Sequence, residues 1–357
     1  MPFNFTEYFT PRAIASYWEN AYSNQLSYLG AAFFDTRKKA GLDLKWIKGS
    51  KGIGVSLMPS AFDARAKFRD HVGFSQEETE MPFFREGYLI KEKDRQELLR
   101  IQDSGDLYAQ AIISRVFDDS ADLIEGARIV PERMIWSLMA PENGNCGISI
   151  VANGVDYTYN YDKKGTWKPN NYTAITTASD QWSTEATADP ITDLMEVKQT
   201  ALGRNGTQLT TAIMSSKTFN YLMKAASIKS AVLAQNSTAN IIVTENIVRN
   251  IISVLLGLNI IVYSKQYQDE SKTTKAFYPD DYVTLVPAGN LGTVWYGTTP
   301  EEADLMGSGK ADVSIVNTGV ALSRIITPHP VNVELYASEI VLPSFERMDD
   351  VYVMKVA

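Results

Sequence analysis

The sequence predicts an α+β fold in which a compact α/β unit interrupts a larger domain built from sequence-distant segments. A long extended hairpin and a long amphipathic helix precede residue 140, and helices alternate with buried strands over residues 190–320. Alternating, strand-like sequence returns after residue 325. We expect these last strands to pair with those near residues 148–161, which would make the α/β unit an insertion.

An aromatic arm opens the chain. Ten aromatic residues lie within residues 1–34, where only three residues are charged, although aromatic residues make up 11% of the whole chain. Thr10 and Pro11 predict a helix start, because a hydroxyl can cap the first turn and proline is favoured at the first helical position. We expect an arm this apolar to be covered by other protein surface. The sequence does not decide whether its own domain or a neighbouring subunit covers it.

A basic, extended segment follows the arm. Residues 35–100 carry 14 Lys and Arg and 11 Asp and Glu, a net charge of +3 in a chain whose net charge is −8. Such a segment is either a solvated face or a loop that docks on the acidic remainder of a neighbouring subunit. Two alternating apolar runs and a second extended piece, Met81–Lys91, predict a long hairpin. The runs are Leu42, Leu44 and Trp46, then Ile53, Val55 and Leu57.

A long helix is predicted over about Asp106 to Met139, where apolar residues recur with a period near 3.6 residues. Pro131 should kink or break it, because proline lacks an N–H group and clashes with the preceding turn. Beyond the helix, Asn153-Gly154 predicts a tight hairpin within residues 148–161.

From Asp189 onwards the pattern becomes α/β. A helix over Ile191–Leu202 is predicted to be capped by Asp189 and to end at Gly203, and Glu245–Leu256 should end at Gly257. Another helix is predicted over Ser216–Ala226. The predicted strands are Leu209–Met214, Leu258–Tyr263, Val283–Val286, Thr293–Tyr296, Val331–Leu342 and Val351–Val356.

The composition argues against an enzyme. The chain has two histidines and one cysteine, Cys146, so a disulfide framework or a cysteine-based zinc site is excluded and general bases are scarce. The acidic balance provides no overall basic field for nucleic acid. We find no signal peptide and no apolar stretch near the roughly 20 residues of a membrane helix. Asp280-Asp281 lacks calcium-loop spacing. We therefore predict no catalytic residue, cofactor or metal site.

Four sets of residues, in this order, carry a resemblance. They are Phe33-Phe34 before the basic segment; Met58-Pro59 followed by Arg65, Lys67 and Arg69; Phe277–Asp281 followed by Gly292–Gly297; and Leu342–Phe345 followed by Val351–Val353. Together they resemble the major capsid protein family of tailed bacteriophages typified by phage lambda, which has the Hong Kong 97-type capsid fold. Residues 141–185 show little similarity to this family.

The resemblance implies a set of domains. They are an N-terminal arm over 1–42, an E-loop hairpin over 43–91, a peripheral domain over 92–189 and 325–357 with a spine helix at about 106–139, and an axial α/β domain over 190–324. It also implies a structural protein of the virion head that assembles in the host cytoplasm. Hexamers and pentamers would then form an icosahedral shell around DNA.

The resemblance further implies partners. These are other copies of the chain, a scaffold, a portal and a decoration protein, with packaged DNA held only by weak non-specific contact and no membrane involved. The candidate inter-subunit contacts are Phe33, Phe34, Trp46, Lys48, Lys51, Arg65, Phe83 and Phe84.

Two other functions stay open at this point. The first is a different virion subunit, such as a tail tube or sheath protein, which should be rich in strands and lack the long mid-chain helix. The second is a cytoplasmic enzyme with an α/β domain at 190–320, which would need a pocket with convergent polar groups.

Overall fold

The computed structural model describes residues 10–21, 27–48, 75–93, 96, 107–152, 154–235 and 243–357. The chain divides into two compact units. The first unit comprises Met1–Lys45, Glu78–Met134 and Thr293–Ser344, and the second comprises Trp46–Glu77, Ile135–Gly292 and Phe345–Ala357.

The first unit contains a six-stranded sheet organised around one long strand, β16 (Val331–Ser344). Residues 331–338 of β16 pair antiparallel with β15, residues 341–344 pair with β13, and residues 333–340 pair with β4. One strand thus supplies the hydrogen-bonding partner for three others. The other strands of this sheet are β1 (Phe34–Lys38), β4 (Phe83–Ile90), β13 (Gly292–Tyr296), β14 (Asp312–Val316) and β15 (Val320–Pro328).

Two helices lie against this sheet, α1 (Pro11–Ala21) and α2 (Leu107–Met139). Ile14 and Trp18 of α1 join Ala121, Leu123 and Ile124 of α2 in one buried cluster with side chains of β4, β14, β15 and β16. Burying such aliphatic and aromatic side chains contributes roughly 1.5–3 kcal/mol each.

The predicted long helix is confirmed. The prediction that Pro131 breaks it is wrong, because α2 runs as one helix from Leu107 to Met139. Proline removes one backbone hydrogen bond at a cost of about 3 kcal/mol. Buried side chains follow it directly, at Glu132, Met134, Ile135 and Trp136. Their packing holds the helix through the proline.

The second unit is a five-stranded sheet covered by helices. The strand order is β7-β17-β12-β8-β9; β17 pairs antiparallel with β12 and parallel with β7, and β8 pairs parallel with β9. Its strands are β7 (Tyr172–Ala174), β8 (Leu209–Met214), β9 (Asn259–Val262), β12 (Tyr282–Pro287) and β17 (Tyr352–Lys355). Its helices are α3 (Trp167–Asn171), α4 (Pro190–Asn205), α5 (Ser216–Lys224), α6 (Ala226–Gln235) and α7 (Glu245–Leu256).

Three two-stranded sheets complete the described structure. β5 (Gly147–Ala152) and β6 (Val155–Asn160) form the hairpin that Asn153-Gly154 predicts. β10 (Gln266–Gln268) pairs with β11 (Thr274–Ala276), and β2 (Asp43–Lys48) pairs with β3 (Ser75–Glu80). The predicted tip of the long hairpin, beyond Lys48, lies outside the described residues.

Two predicted helix ends differ from the structure. Helix α4 continues through Gly203 to Asn205 and stops at Gly206, whose φ of 69° is the left-handed conformation that favours glycine. The single helix predicted over Ser216–Ala226 is instead α5, and a second helix, α6, follows it.

The predicted pairing of the last strands with residues 148–161 is wrong. Within the described residues β5 and β6 pair only with each other, whereas β16 belongs to the first unit's sheet and β17 to the second unit's sheet. The unit boundaries accordingly differ from the predicted domains, because Phe345–Ala357 joins the α/β unit and Thr293–Ser344 does not. The capsid-domain names stay a prediction.

Candidate functional site

Three predicted contact residues are covered by their own chain. Phe33 and Phe34, at the start of β1, are 8% and 1% exposed. Trp46 in β2 is 9% exposed and its ring lies 5.6 Å from that of Tyr161. These side chains fix the positions of β1 and β2, and their contact with another subunit stays a prediction.

The other predicted contact residues are more open or fall outside the description. Phe83 and Phe84 are half-buried at the start of β4, opposite Ile340 and Glu339 of β16. Lys48 ends β2, but its side chain lies outside the described residues, as do Lys51 and Arg65 entirely. Their inter-subunit role also stays a prediction.

Helix α1 shows what covers the aromatic arm. The Ala13 backbone N–H donates to Thr10 Oγ1 at 3.2 Å, so the predicted hydroxyl cap is confirmed. Ile14 is fully buried and Trp18 is 6% exposed. Of the two alternatives that the sequence leaves open, the described part of the arm packs on its own unit.

Polar contacts also fasten the arm to α2. Glu125 accepts hydrogen bonds from Trp18 Nε1 at 3.2 Å and from the Tyr28 hydroxyl. The Arg128 guanidinium lies 5.0 Å from the Trp18 ring centroid and 4.7 Å from that of Tyr28, as in cation–π pairs. Burial, and then the hydrogen bond to Glu125, raises the pKa of Tyr28, so its hydroxyl stays a donor.

The Glu132 carboxylate holds the segment that follows α1. Its oxygens accept from the backbone N–H groups of Leu29, at 3.1 Å, and Gly30, at 3.0 and 3.1 Å. Glu132 is only 3% exposed, so these bonds replace the water that its charge would otherwise need. Glu125, Arg128 and Glu132, which we call the arm anchor, were missed by the sequence analysis. Their spacing of three and seven residues along one helix face is the signal that could have found them.

A second buried carboxyl group of the first unit differs from that of Glu132 in its hydrogen bonding. Glu339 of β16 is 1% exposed, and neither carboxyl oxygen has a hydrogen-bond partner among the described residues. Burial raises its pKa well above the ordinary value for a glutamate. A negative charge here would also raise the pKa of Tyr296, which lies near it. Sequence analysis missed this residue too, because an isolated Glu in a strand gives no local signal.

The acidic pair Asp280-Asp281 forms a turn. Asp281 has a φ of 67° and accepts from Lys217 Nζ and the Tyr221 hydroxyl, both at 3.0 Å. Asp280 accepts from Ser215 Oγ at 2.6 Å. These bonds fasten the turn to the start of α5. In the part of the chain that the structure describes, no three His, Cys, Asp or Glu side chains form a group that could hold a metal ion.

These contacts anchor an arm and join strands, and none of them assembles groups for a reaction. The sequence model of the family described as Phage major capsid protein E matches residues 10–356. The chain belongs to this family. The capsid protein is therefore a structural component of the phage head, neither an enzyme nor the tail tube or sheath subunit that the sequence left open.

Solved structures agree with this assignment. A crystal structure of a protein described as the capsid protein of a prophage in Escherichia coli CFT073 covers 100% of both chains, with a TM-score of 0.60 and 15% identity. A phage-related protein from Bordetella bronchiseptica RB50 covers 98% of this chain and 97% of its own, with a TM-score of 0.53 and 12% identity. The predicted Hong Kong 97-type capsid fold is thus confirmed. No curated protein matches the chain.

Over the described ranges, no helix combines the length and hydrophobicity that crossing a bilayer requires.

Proposed function

We propose that copies of the capsid protein assemble as hexamers and pentamers into an icosahedral head shell that encloses phage DNA. The family match over residues 10–356 carries this proposal, because it covers both units rather than one shared domain. The family match supports a head-shell protein, and the arrangement of its copies into hexamers and pentamers is what we add as a proposal.

The arm anchor supports a shell built from positioned, extended segments. A segment can reach a neighbour reproducibly only if its root is fixed, because each free backbone residue costs about 1–2 kcal/mol to order. Glu125, Arg128 and Glu132 fix the root of the arm, and Trp46 fixes the root of the predicted E-loop against Tyr161. In this proposal residues 1–42 are the arm and residues 43–91 the E-loop of a peripheral and axial domain pair.

The proposed partners follow from the same assignment. Scaffold, portal and decoration proteins would meet the shell at its inner face, at a vertex and at its outer face. Contact with DNA would be weak and non-specific, because the chain has a net charge of −8 and would repel phosphates overall.

Negative-stain electron microscopy with light scattering on the same purified sample tests the proposal. Closed shells, curved sheets or hexameric rings are the expected result, and helical tubes would contradict it. A monodisperse 39.7 kDa species that persists after candidate scaffold protein is added would also contradict it.

A deletion separates assembly from folding. Removing residues 49–74 should abolish particles, because the predicted E-loop contacts are lost, while the circular dichroism of the remaining chain is retained. Shells that form without this segment would refute the assigned role of the E-loop.

A further inference from the structure

Glu339 lies on the face of β16 that the helices cover. Val333, Leu335 and Ala337 of the same strand belong to the buried cluster that contains side chains of α1 and α2. Because successive side chains of a strand alternate between its two faces, Glu339 shares the face of these three residues. It is 1% exposed, and its carboxyl oxygens have no hydrogen-bond partner among the described residues. No described donor therefore balances a negative charge at this position.

Tyr296 of β13 lies beside Glu339 and near a cation of α2. It is opposite Val341 in the antiparallel register of β13 and β16, so Tyr296 and Glu339 are diagonal neighbours on one face of the sheet. Burial raises the pKa of Tyr296, the charge of Glu339 raises it further, and the charge of Arg128 lowers it. Arg128 therefore lies over the same face of the sheet, close to the tyrosine that adjoins Glu339.

The arm holds Arg128 in its present position. The guanidinium lies 5.0 Å from the ring centroid of Trp18 and 4.7 Å from that of Tyr28, and 3.7 Å separates it from a Glu125 oxygen. The Arg128 side chain is 36% exposed, so packing leaves it room to turn. In this position it makes no hydrogen bond to Glu339. To pair with that carboxyl group, the guanidinium must leave the two rings.

The other charged groups over this face already have partners. Arg324 of β15 pairs with Asp312 of β14 at 3.4 Å, and the Tyr17 hydroxyl of α1 donates to Asp118 of α2. Both carboxylates of the arm anchor accept hydrogen bonds from the arm. On β4 the residue opposite Glu339 is the apolar Phe84. Among the described residues, the arginine of the arm anchor is thus the cation best placed to answer a charge on Glu339.

We propose that Glu339 and the aromatic rings of the arm compete for Arg128, and that loss of the Glu339 proton releases the arm from α2. While the carboxyl group is protonated, Arg128 stays on the Trp18 and Tyr28 rings. Once the proton has passed to solvent, the buried carboxylate needs a partner and attracts Arg128, so the arm loses both ring contacts. A rise in pH is the trigger. This device works within one chain and does not depend on how copies are arranged in a shell.

Hydrogen exchange of the full-length chain between pH 5 and 9 tests the release. The Leu29 and Gly30 amides, bonded to the arm anchor, report on the arm, and the Val341 amide, bonded within the sheet, reports on β16. In the wild type, protection of the two arm amides should fall at least about tenfold more than that of Val341, because release opens the arm alone. Glu339→Gln keeps the shape of the protonated side chain and should show no such difference. An equal change at all three amides, or a fall that Glu339→Gln shares, would overturn the inference.

Infrared spectroscopy tests whether Glu339 is the group that titrates. The difference spectrum between the wild type and Glu339→Gln should contain the band of a protonated carboxyl group at pH 5. This band should disappear over the pH range in which the arm amides lose protection. A band that is absent at pH 5, or that persists after the arm is released, would contradict the proposal.

Two substitutions of Arg128 test the competition itself. Arg128→Leu removes the cation, so the arm amides should be about tenfold less protected at pH 5, the combined effect of two cation–π contacts, and should show no further fall over the pH range of wild-type release. Arg128→Lys keeps a positive charge and should keep the pH-dependent fall. A fall of wild-type size in Arg128→Leu, or none in Arg128→Lys, would show that Arg128 does not link Glu339 to the arm.

Discussion

Replacing Glu339 by glutamine should make the stability of the first unit less dependent on pH. The side chain is 1% exposed, and its oxygens have no hydrogen-bond partner among the described residues. Burial therefore favours the protonated carboxyl and raises its pKa well above 4.5. Glutamine keeps the shape of the protonated side chain and has no proton to release.

The sign and size follow from proton linkage. Above pH 4.5 the unfolded chain releases the Glu339 proton, while the folded chain keeps it. The stabilisation is thus complete below that pH and is lost as pH rises towards the raised folded pKa. One proton corresponds to about 1.4 kcal/mol per pH unit in the free energy of unfolding.

Urea unfolding of the unassembled chain at pH 5, 6 and 7, followed by tryptophan fluorescence, measures this difference. Relative to Glu339→Gln, the wild type should lose free energy of unfolding as the pH rises from 5 to 7, with a slope no steeper than that of one proton. Glu142→Gln, at an exposed site, controls for the loss of a glutamate. A difference between wild type and Glu339→Gln that stays constant from pH 5 to 7 would refute the reasoning.

Four further substitutions are measured by the same unfolding assay at neutral pH. Glu132→Ala should lower the free energy of unfolding by about 2–3 kcal/mol, because it leaves the buried Gly30 N–H without its acceptor; no loss would contradict the arm anchor. Gly87→Ala should cost about 1–3 kcal/mol by forcing a Cβ into a facing tyrosine ring, whereas Gly126→Ala, with open space in a helix, should stabilise by about 0.5–1 kcal/mol. Asp189→Ala should cost about 1 kcal/mol by removing the cap of α4, and an unchanged midpoint would contradict that role.

The elements that the sequence predicted well are those with a local signal. Strand β8 matches its predicted bounds, and helix α7 begins and ends as expected, with Gly257 in the left-handed conformation. The hairpin at Gly154 is also found. In each case the turn or cap that fixes the element lies within a few residues of it, so a short stretch of sequence is sufficient.

What the sequence could not show depends on distant contacts. β16 pairs with β4 and β13, and β17 pairs with β7 and β12, all of them distant in the sequence, so no local pattern identifies these partners. The spacing of the arm anchor marks one face of α2, but it does not show that Glu132 meets Gly30, because the two residues are 102 positions apart. The predicted contact residues were chosen for their aromatic or basic character. That character does not reveal that Phe34 is buried, because its burial follows from the position of β1 in the sheet.

The position of β17 has a consequence for synthesis. This strand, residues 352–355, lies between β12 and β7, so the central hydrogen bonds of the second unit's sheet cannot form until those residues leave the ribosome. Until then β12 and β7 present unpaired inner edges, which are prone to association with other chains. The sheet of the α/β unit can therefore complete its pairing only after residue 355 has been synthesised, and a chain truncated before β17 would keep these edges exposed.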